Sequence, residues 1–150
     1  MFKKEKFNDL NTRYRTHAYT GLMGIFMNHC HRQLENVQMP KKMPMVLEIG
    51  AGDSPHLKYL KHDFDEYHII ETSDYALENK EKNTKIVKKK YDGKKIPYPD
   101  ETFDRIIISH CLEHIPFPEN FLFEMMSKLK KGGMLSISLP TDPGLLFRLG

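Results

Sequence analysis

Residues 45–50, MVLEIG, are a short apolar run that stops at a glycine, and a second glycine follows one residue later in Gly50-Ala51-Gly52. A run of this kind reads as a strand buried on both faces. Two glycines one apart let the backbone turn sharply and let a ligand come close to it. Pro55 after Ser54 suits an N-cap serine with proline at the first helical position, so a short helix is expected over 56–61. The remaining strands are expected at 67–70 (YHII), 84–90 (TKIVKKK), 103–109 (FDRIIIS) and 134–139 (MLSISL), the last stopped by Pro140. Between them, Ser73 or Asp74 can cap a helix running to about Glu81, and 92–101 (DGKKIPYPDE) reads as a loop. A further helix is expected over 119–131, with Phe121, Leu122, Met125, Met126 and Leu129 on its apolar face. Lys128, Lys130 and Lys131 fall in its last turn, and Gly132-Gly133 end it.

Strands alternating with helices imply an α/β fold: a Rossmann-like, doubly wound, mainly parallel sheet of five visible strands, with helices on both faces. Before it, residues 1–14 form a polar arm, and a stripe of Leu22, Ile25, Phe26, Cys30, Leu34 and Val37 predicts one amphipathic helix over 15–37. Gly21 and Gly24 weaken that helix, and the two prolines of 38–44 make a connector. The division expected is therefore 1–44 as arm and helix and 45–150 as the main domain. At 150 residues with 39% hydrophobic and 29% charged composition, the chain is neither collagenous, disordered nor a disulfide scaffold. No stretch approaches the ~18 apolar residues of a membrane span, and the basic N-terminus lacks the apolar segment of a secretory signal. Two cysteines, Cys30 and Cys111, point to a reducing cytoplasm. A net charge of +3 is too small to imply nucleic acid by itself.

In an open parallel sheet, ligands sit beyond the carboxyl ends of the strands. Four loops there carry candidate residues. The Gly50-Ala51-Gly52 turn opens on free N–H groups, yet it departs from G-x-G-x-x-G because Pro55 stands at the third glycine position. Glu71 lies 21 residues after Gly50, where an acid can accept both hydroxyls of a ribose. Asp92 follows the third strand, where its carboxylate either meets an exocyclic adenine amine or closes a D-G turn with Gly93. The fourth, Ser109-His110-Cys111-Leu112-Glu113-His114, offers two histidines as bases but no recognisable metal ligand set.

VLEIGAG (46–52), Glu71, Asp92, IPYPDETFDRIIISHCLEHI (96–115) and LKKGGMLSISLP (129–140) together resemble a class I S-adenosylmethionine-dependent methyltransferase of the type 11 subgroup, over about residues 45–143. The resemblance implies S-adenosyl-L-methionine as cofactor. It places Glu48, Gly50, Ala51 and Gly52 near the methionine end, Glu71 and Thr72 at the ribose, Asp92 and Gly93 at adenine, and Ser109 and His110 against the methionine portion. Glu113-His114 matches the Glu-His pair of the subgroup, and His110 or His114 could act as base. No Asn/Asp-Pro-Pro-Tyr follows the fourth strand, which argues against adenine or glutamine-amide methylation. The acceptor implied is a small molecule of quinone, lipid-precursor or saccharide type. The family sheet has seven strands, so the end at Gly150 is expected to mark a fragment, and the open edge of strand five could be covered by a second copy. Rival readings are a nucleotide-binding oxidoreductase, a non-catalytic cofactor-binding module, and an RNA methyltransferase using the lysines around strand three.

Overall fold

The structure, a computed structural model, describes residues 21–52, 56–73 and 83–139. Contacts divide the chain after Val37. In the first unit, helix α1 spans Gly21–Leu34. Of the expected stripe, Cys30 and Leu34 are half-buried and Ile25, Phe26 and Val37 are exposed. Ile25 and Phe26 are 68% and 42% exposed, whereas Gly24, His31 and Glu35 are buried. Residues 24, 31 and 35 share one helical face by spacing, so the buried face is small and polar. Positions 15–20 of the predicted helix lie outside the described residues.

In the second unit, β1 (Met45–Ile49), β2 (Glu66–Glu71), β3 (Ile86–Lys90), β4 (Phe103–Ser109) and β5 (Leu129–Ser138) form one sheet in the order β3-β2-β1-β4-β5. Every pairing is parallel, as the alternation of strand and helix requires. Residues 38–44, expected as a connector grouped with the N-terminal segment, make their contacts in this unit. Met43 is buried and its N–H donates to the Asp63 carbonyl at 2.9 Å.

Alternation along the strands sorts the side chains into two layers. Leu47, Ile49, Ile70, Ile106 and Ile108 share one face with Phe121 and Met125 of helix α2 (Pro118–Lys128). The opposite face holds Val46, Ile69 and Ile107 around a buried polar set. There the Tyr67 hydroxyl donates to Glu48 Oε2 at 2.6 Å, and Arg105 Nε donates to Ser136 Oγ at 3.0 Å. Buried polar groups persist only when partnered in this way.

The segment between β3 and β4 is a loop, as expected, but its middle belongs to the core. Ile96 is 1% exposed, and Tyr98 packs edge-on against Phe103 and His68 with centroids 4.9 and 5.2 Å apart. The Ile96 N–H donates to Glu124 Oε1 at 2.7 Å, fastening the loop to α2.

Three expected elements differ. The helix predicted over 56–61 is a single 3-10 turn at Leu57–Tyr59, with Ser54 and Pro55 outside the described residues, as is the 74–81 helix. α2 ends at Lys128, so Leu129, Lys130 and Lys131 belong to β5 and not to the helix. Gly132 and Gly133 do not cap α2. Its last carbonyls, on Ser127 and Lys128, accept from the Glu101 and Thr102 N–H groups, each at 2.9 Å. The glycines instead form a bulge within β5. Phe103 pairs with Leu129 but Arg105 already pairs with Met134, so three extra residues loop out. Gly132 has φ +77°, and a Cβ on Gly133 would stand 3.0 Å from the Lys130 carbonyl oxygen.

Candidate functional site

The carboxyl ends of β2, β1 and β4 lie side by side because those strands are adjacent in the sheet. β1 runs into Gly50, whose N–H donates to the Ile70 carbonyl at 3.0 Å and whose φ is +69°. Positive φ is glycine's territory. Packing demands glycine as well. A Cβ there would stand 2.3 Å from Cys111 Sγ and 3.6 Å from Glu71 Oε1. The Gly50 turn is thus flanked by the acid that ends β2 and by the thiol that follows β4. Gly52 also has positive φ, +55°, but among the described residues nothing lies within 4 Å of its would-be Cβ. Ala51 between them is buried.

Thr72 and Gly93 are brought together as well. The Thr72 methyl lies 3.3 Å from where a Gly93 Cβ would be. Asp92 is exposed, and its Oδ1 accepts from the Lys94 and Lys95 N–H groups at 2.9 and 3.3 Å. Those backbone hydrogen bonds hold its carboxyl below the usual range. Asp92 therefore closes the D-G turn with one oxygen while standing at the rim beside Gly93.

Glu48 is placed differently. It points into the polar layer under the sheet, 1% exposed, with its carboxylate on the Tyr67 hydroxyl. Burial raises its pKa, and His56 and the Tyr67 hydrogen bond partly oppose that. It supports β1 from below.

After β4, Ser109 Oγ is buried and has no hydrogen-bond partner among the described residues. His110 adopts φ +50°, its N–H donates to the Ser138 carbonyl at 2.9 Å, and its Nε2 lies 3.4 Å from Ser138 Oγ. Burial lowers its pKa below 6.5, with Glu113 opposing. Cys111 is the residue that sequence reasoning missed. Burial, with Glu71 and Glu113, pushes its thiol up to about 11, so it remains protonated. Its contact with Gly50 follows from the β1–β4 pairing together with the turn at His110, which no local pattern announces. His114 ends a 3-10 turn (Leu112–His114), its side chain 75% exposed and 3.9 Å from Glu113. The histidines thus part company, one half-buried at the strand end and the other on the surface. Among the described residues, no group of three or more His, Cys, Asp or Glu stands where it could hold a metal ion.

An all-parallel sheet with a bare turn after its first strand, an acid ending the neighbouring strand and a strained loop after the fourth defines a Rossmann-like α/β protein with a nucleotide-type cofactor edge. The chain belongs to the methyltransferase domain family, type 11 subgroup, whose pattern it matches over residues 47–137. It is 27% identical over 103 residues to 2-methyl-6-phytyl-1,4-hydroquinone methyltransferase 1, chloroplastic, of Oryza sativa subsp. japonica, covering 65% of this chain and 31% of that protein. It is also 27% identical over 99 residues to the phosphatidylethanolamine N-methyltransferase of Cereibacter sphaeroides, covering 61% of this chain and 48% of that one. A solved SAM-dependent methyltransferase from Aquifex aeolicus superposes with a TM-score of 0.56 at 25% identity, over 74% of this chain and 62% of that chain. The matches thus span about a third and about half of the curated relatives' lengths.

S-adenosylmethionine is the cofactor this family uses, and the residues present fit it. Among the described residues nothing crowds the glycine turn at Gly52. Ser109 offers a buried hydroxyl without a partner among the described residues. Glu71 supplies negative charge at the rim, which suits a sulfonium cation.

Proposed function

We propose that the chain is the cofactor-binding core of a methyltransferase that passes the methyl group of S-adenosylmethionine to a small-molecule acceptor of quinone or phospholipid type. The observation that carries this reading is the meeting of Gly50, Glu71 and Cys111 at one end of three adjacent strands. The acceptor class is supported by the hydroquinone and phosphatidylethanolamine methyltransferases that the chain is similar to. When bound, S-adenosylmethionine supplies an electrophilic methyl group on sulfur, and the protein supplies position and electrostatics.

Each residue has a part in that reading. Glu71 accepts from the ribose hydroxyls, Thr72 packs beside Gly93, and Asp92 and Gly93 face adenine. Gly50, Ala51 and Gly52 give backbone access at the methionine end, with Ser109 and His110 opposite. Glu48, held by Tyr67, keeps the β1 turn in place from beneath. His110 is the better general base of the two histidines. Burial keeps its ring neutral and able to accept a proton, whereas His114 stands in solvent. That Cys30 and Cys111 form no disulfide suits a reducing cytoplasm. No helix among the described residues is long and apolar enough to cross a membrane. The outer edge of β5 suits pairing with a second copy.

The test is calorimetric titration with S-adenosylhomocysteine, followed by incubation with methyl-labelled donor and either a prenylated hydroquinone or phosphatidylethanolamine. Binding plus label in the lipid extract is expected, with His114→Ala active and His110→Ala impaired. Stabilisation by NAD and not by S-adenosylhomocysteine would replace this reading with the oxidoreductase one.

A further inference from the structure

The surface beside the Asp92-Gly93 turn combines two kinds of side chain. Residues 85–95 carry six lysines (85, 88, 89, 90, 94 and 95) against one acid, Asp92, a local charge of +5 from 6 − 1 in a chain whose total is +3. Because β3 is an edge of the sheet, that charge lies along a rim. Lys94 shares a hollow of about 310 Å³ with Phe117, Asn120 and Glu124, which joins the basic loop to the start of α2. There the exterior becomes apolar. Phe117 and Phe123 are each 71% exposed and Met126 is 60% exposed. Asn120, Phe123 and Met126 recur every third residue and so share the outward arc of α2. Phe117 also holds a left-handed backbone, φ 55° and ψ 60°, which is an outlier for a bulky aromatic. Its ring gains no burial in return. The acids nearby are Asp92, Asp100, Glu101, Glu113, Glu119 and Glu124; Asp92 and Glu124 accept from the Lys94, Lys95 and Ile96 N–H groups of the loop, and Asp100 is paired with Lys128 at 2.6 Å.

A nucleic-acid duplex would engage the lysines and leave the phenylalanines in water, and a single strand, which stacks its bases on aromatic rings, would leave the aliphatic Met126 unused. Lysines beside exposed aromatic and Met side chains instead match the headgroup and acyl layers of an anionic bilayer. We propose that the β3 edge, the 92–95 loop and the outer face of α2 form a docking surface for an anionic lipid membrane, bringing the cofactor edge to a lipid acceptor. The proposal deepens the lipid-acceptor reading and rests on it.

The test is flotation of the 150-residue chain with phosphatidylcholine vesicles, with and without phosphatidylglycerol, alongside S-adenosylhomocysteine titration. Binding is expected only with the anionic lipid. It should weaken roughly tenfold or more in Lys94→Gln/Lys95→Gln, and comparably in Phe123→Ser/Met126→Ser, the latter keeping cofactor affinity and its circular dichroism. Failure of the wild type to float, or wild-type flotation by both variants, overturns the docking surface. So does salt-sensitive RNA binding without vesicle binding. A wild-type chain that binds S-adenosylhomocysteine but does not float sinks only the surface. Failure to bind S-adenosylhomocysteine sinks the cofactor reading itself.

Discussion

Gly50→Ala isolates the contact on which the site is built. The new methyl would stand 2.3 Å from Cys111 Sγ and 2.9 Å from Cys111 Cβ, on a backbone with φ +69°. Holding an L-residue in the left-handed region costs about 1–2 kcal/mol. Inserting a methyl group into filled space costs about 1–3 kcal/mol more. The stiffer unfolded chain returns about 0.4–1 kcal/mol. The net loss is therefore roughly 1–5 kcal/mol, which for a domain of this size lowers Tm by roughly 2–20 °C. Urea and thermal unfolding of Gly50→Ala, Cys111→Ala and the double variant measure it. Removing the thiol relieves the 2.3 Å contact but leaves Cys111 Cβ at 2.9 Å and the backbone strain, so the cycle should show a coupling of about 1 kcal/mol in favour of the double variant. A coupling indistinguishable from zero would show that Cys111 does not lie against Gly50. Wild-type stability in Gly50→Ala would dispose of the left-handed turn as well.

Glu71→Ala removes charge-assisted acceptors worth about 1.5–3 kcal/mol, so S-adenosylhomocysteine should bind about 10- to 150-fold more weakly by calorimetry. Unchanged affinity takes Glu71 out of the ribose role. His110 carries a pKa depressed by burial, so the unfolded chain takes up its proton first. Its contribution to stability is complete above 6.5 and declines as pH falls through the window down to the folded-state value. Urea midpoints at pH 7 and pH 5 should therefore differ more in wild type than in His110→Asn, and identical profiles would refute the buried neutral ring. Asp104 accepts from the Met45 N–H at 2.8 Å and from Lys130 Nζ at 2.9 and 3.0 Å. Asp104→Ala should cost about 1–3 kcal/mol, read as a lower urea midpoint at constant m, with Asp104→Asn recovering part of it.

Which features the sequence reveals depends on how far away their causes lie. MVLEI and FDRIIIS are legible as β1 and β4 because strands covered on both faces need unbroken apolar runs. Glu71 is legible by its spacing from Gly50, since one β-turn-β repeat fixes that distance. The end of α2 is not legible. Gly132-Gly133 carries the local signature of a helix stop, yet the carbonyls that a stop would cap are already taken by Glu101 and Thr102, more than two dozen residues upstream. Once they are satisfied, Leu129 can enter the sheet at once and the glycines become free to bulge. The same logic hides Ile96 and Tyr98 inside a loop-like string of Pro, Gly and Asp, because the partners that bury them, Glu124, His68 and Phe103, come from three other elements. Glu48 shows the intermediate case. Alternation alone sets it opposite Leu47 and Ile49, and the same alternation in β2 sets Tyr67 on its side of the sheet, since Val46 pairs with Tyr67 and Glu48 with Ile69. A carboxylate and a phenol two residues apart across a parallel pair lie on the same face and can meet, so this partnership follows from the register once the strands are aligned. Cys111 cannot be found that way, because it lies beyond the strand end, where alternation no longer applies. What places it is the positive φ of His110, which turns the chain back toward Gly50 just after β4 ends.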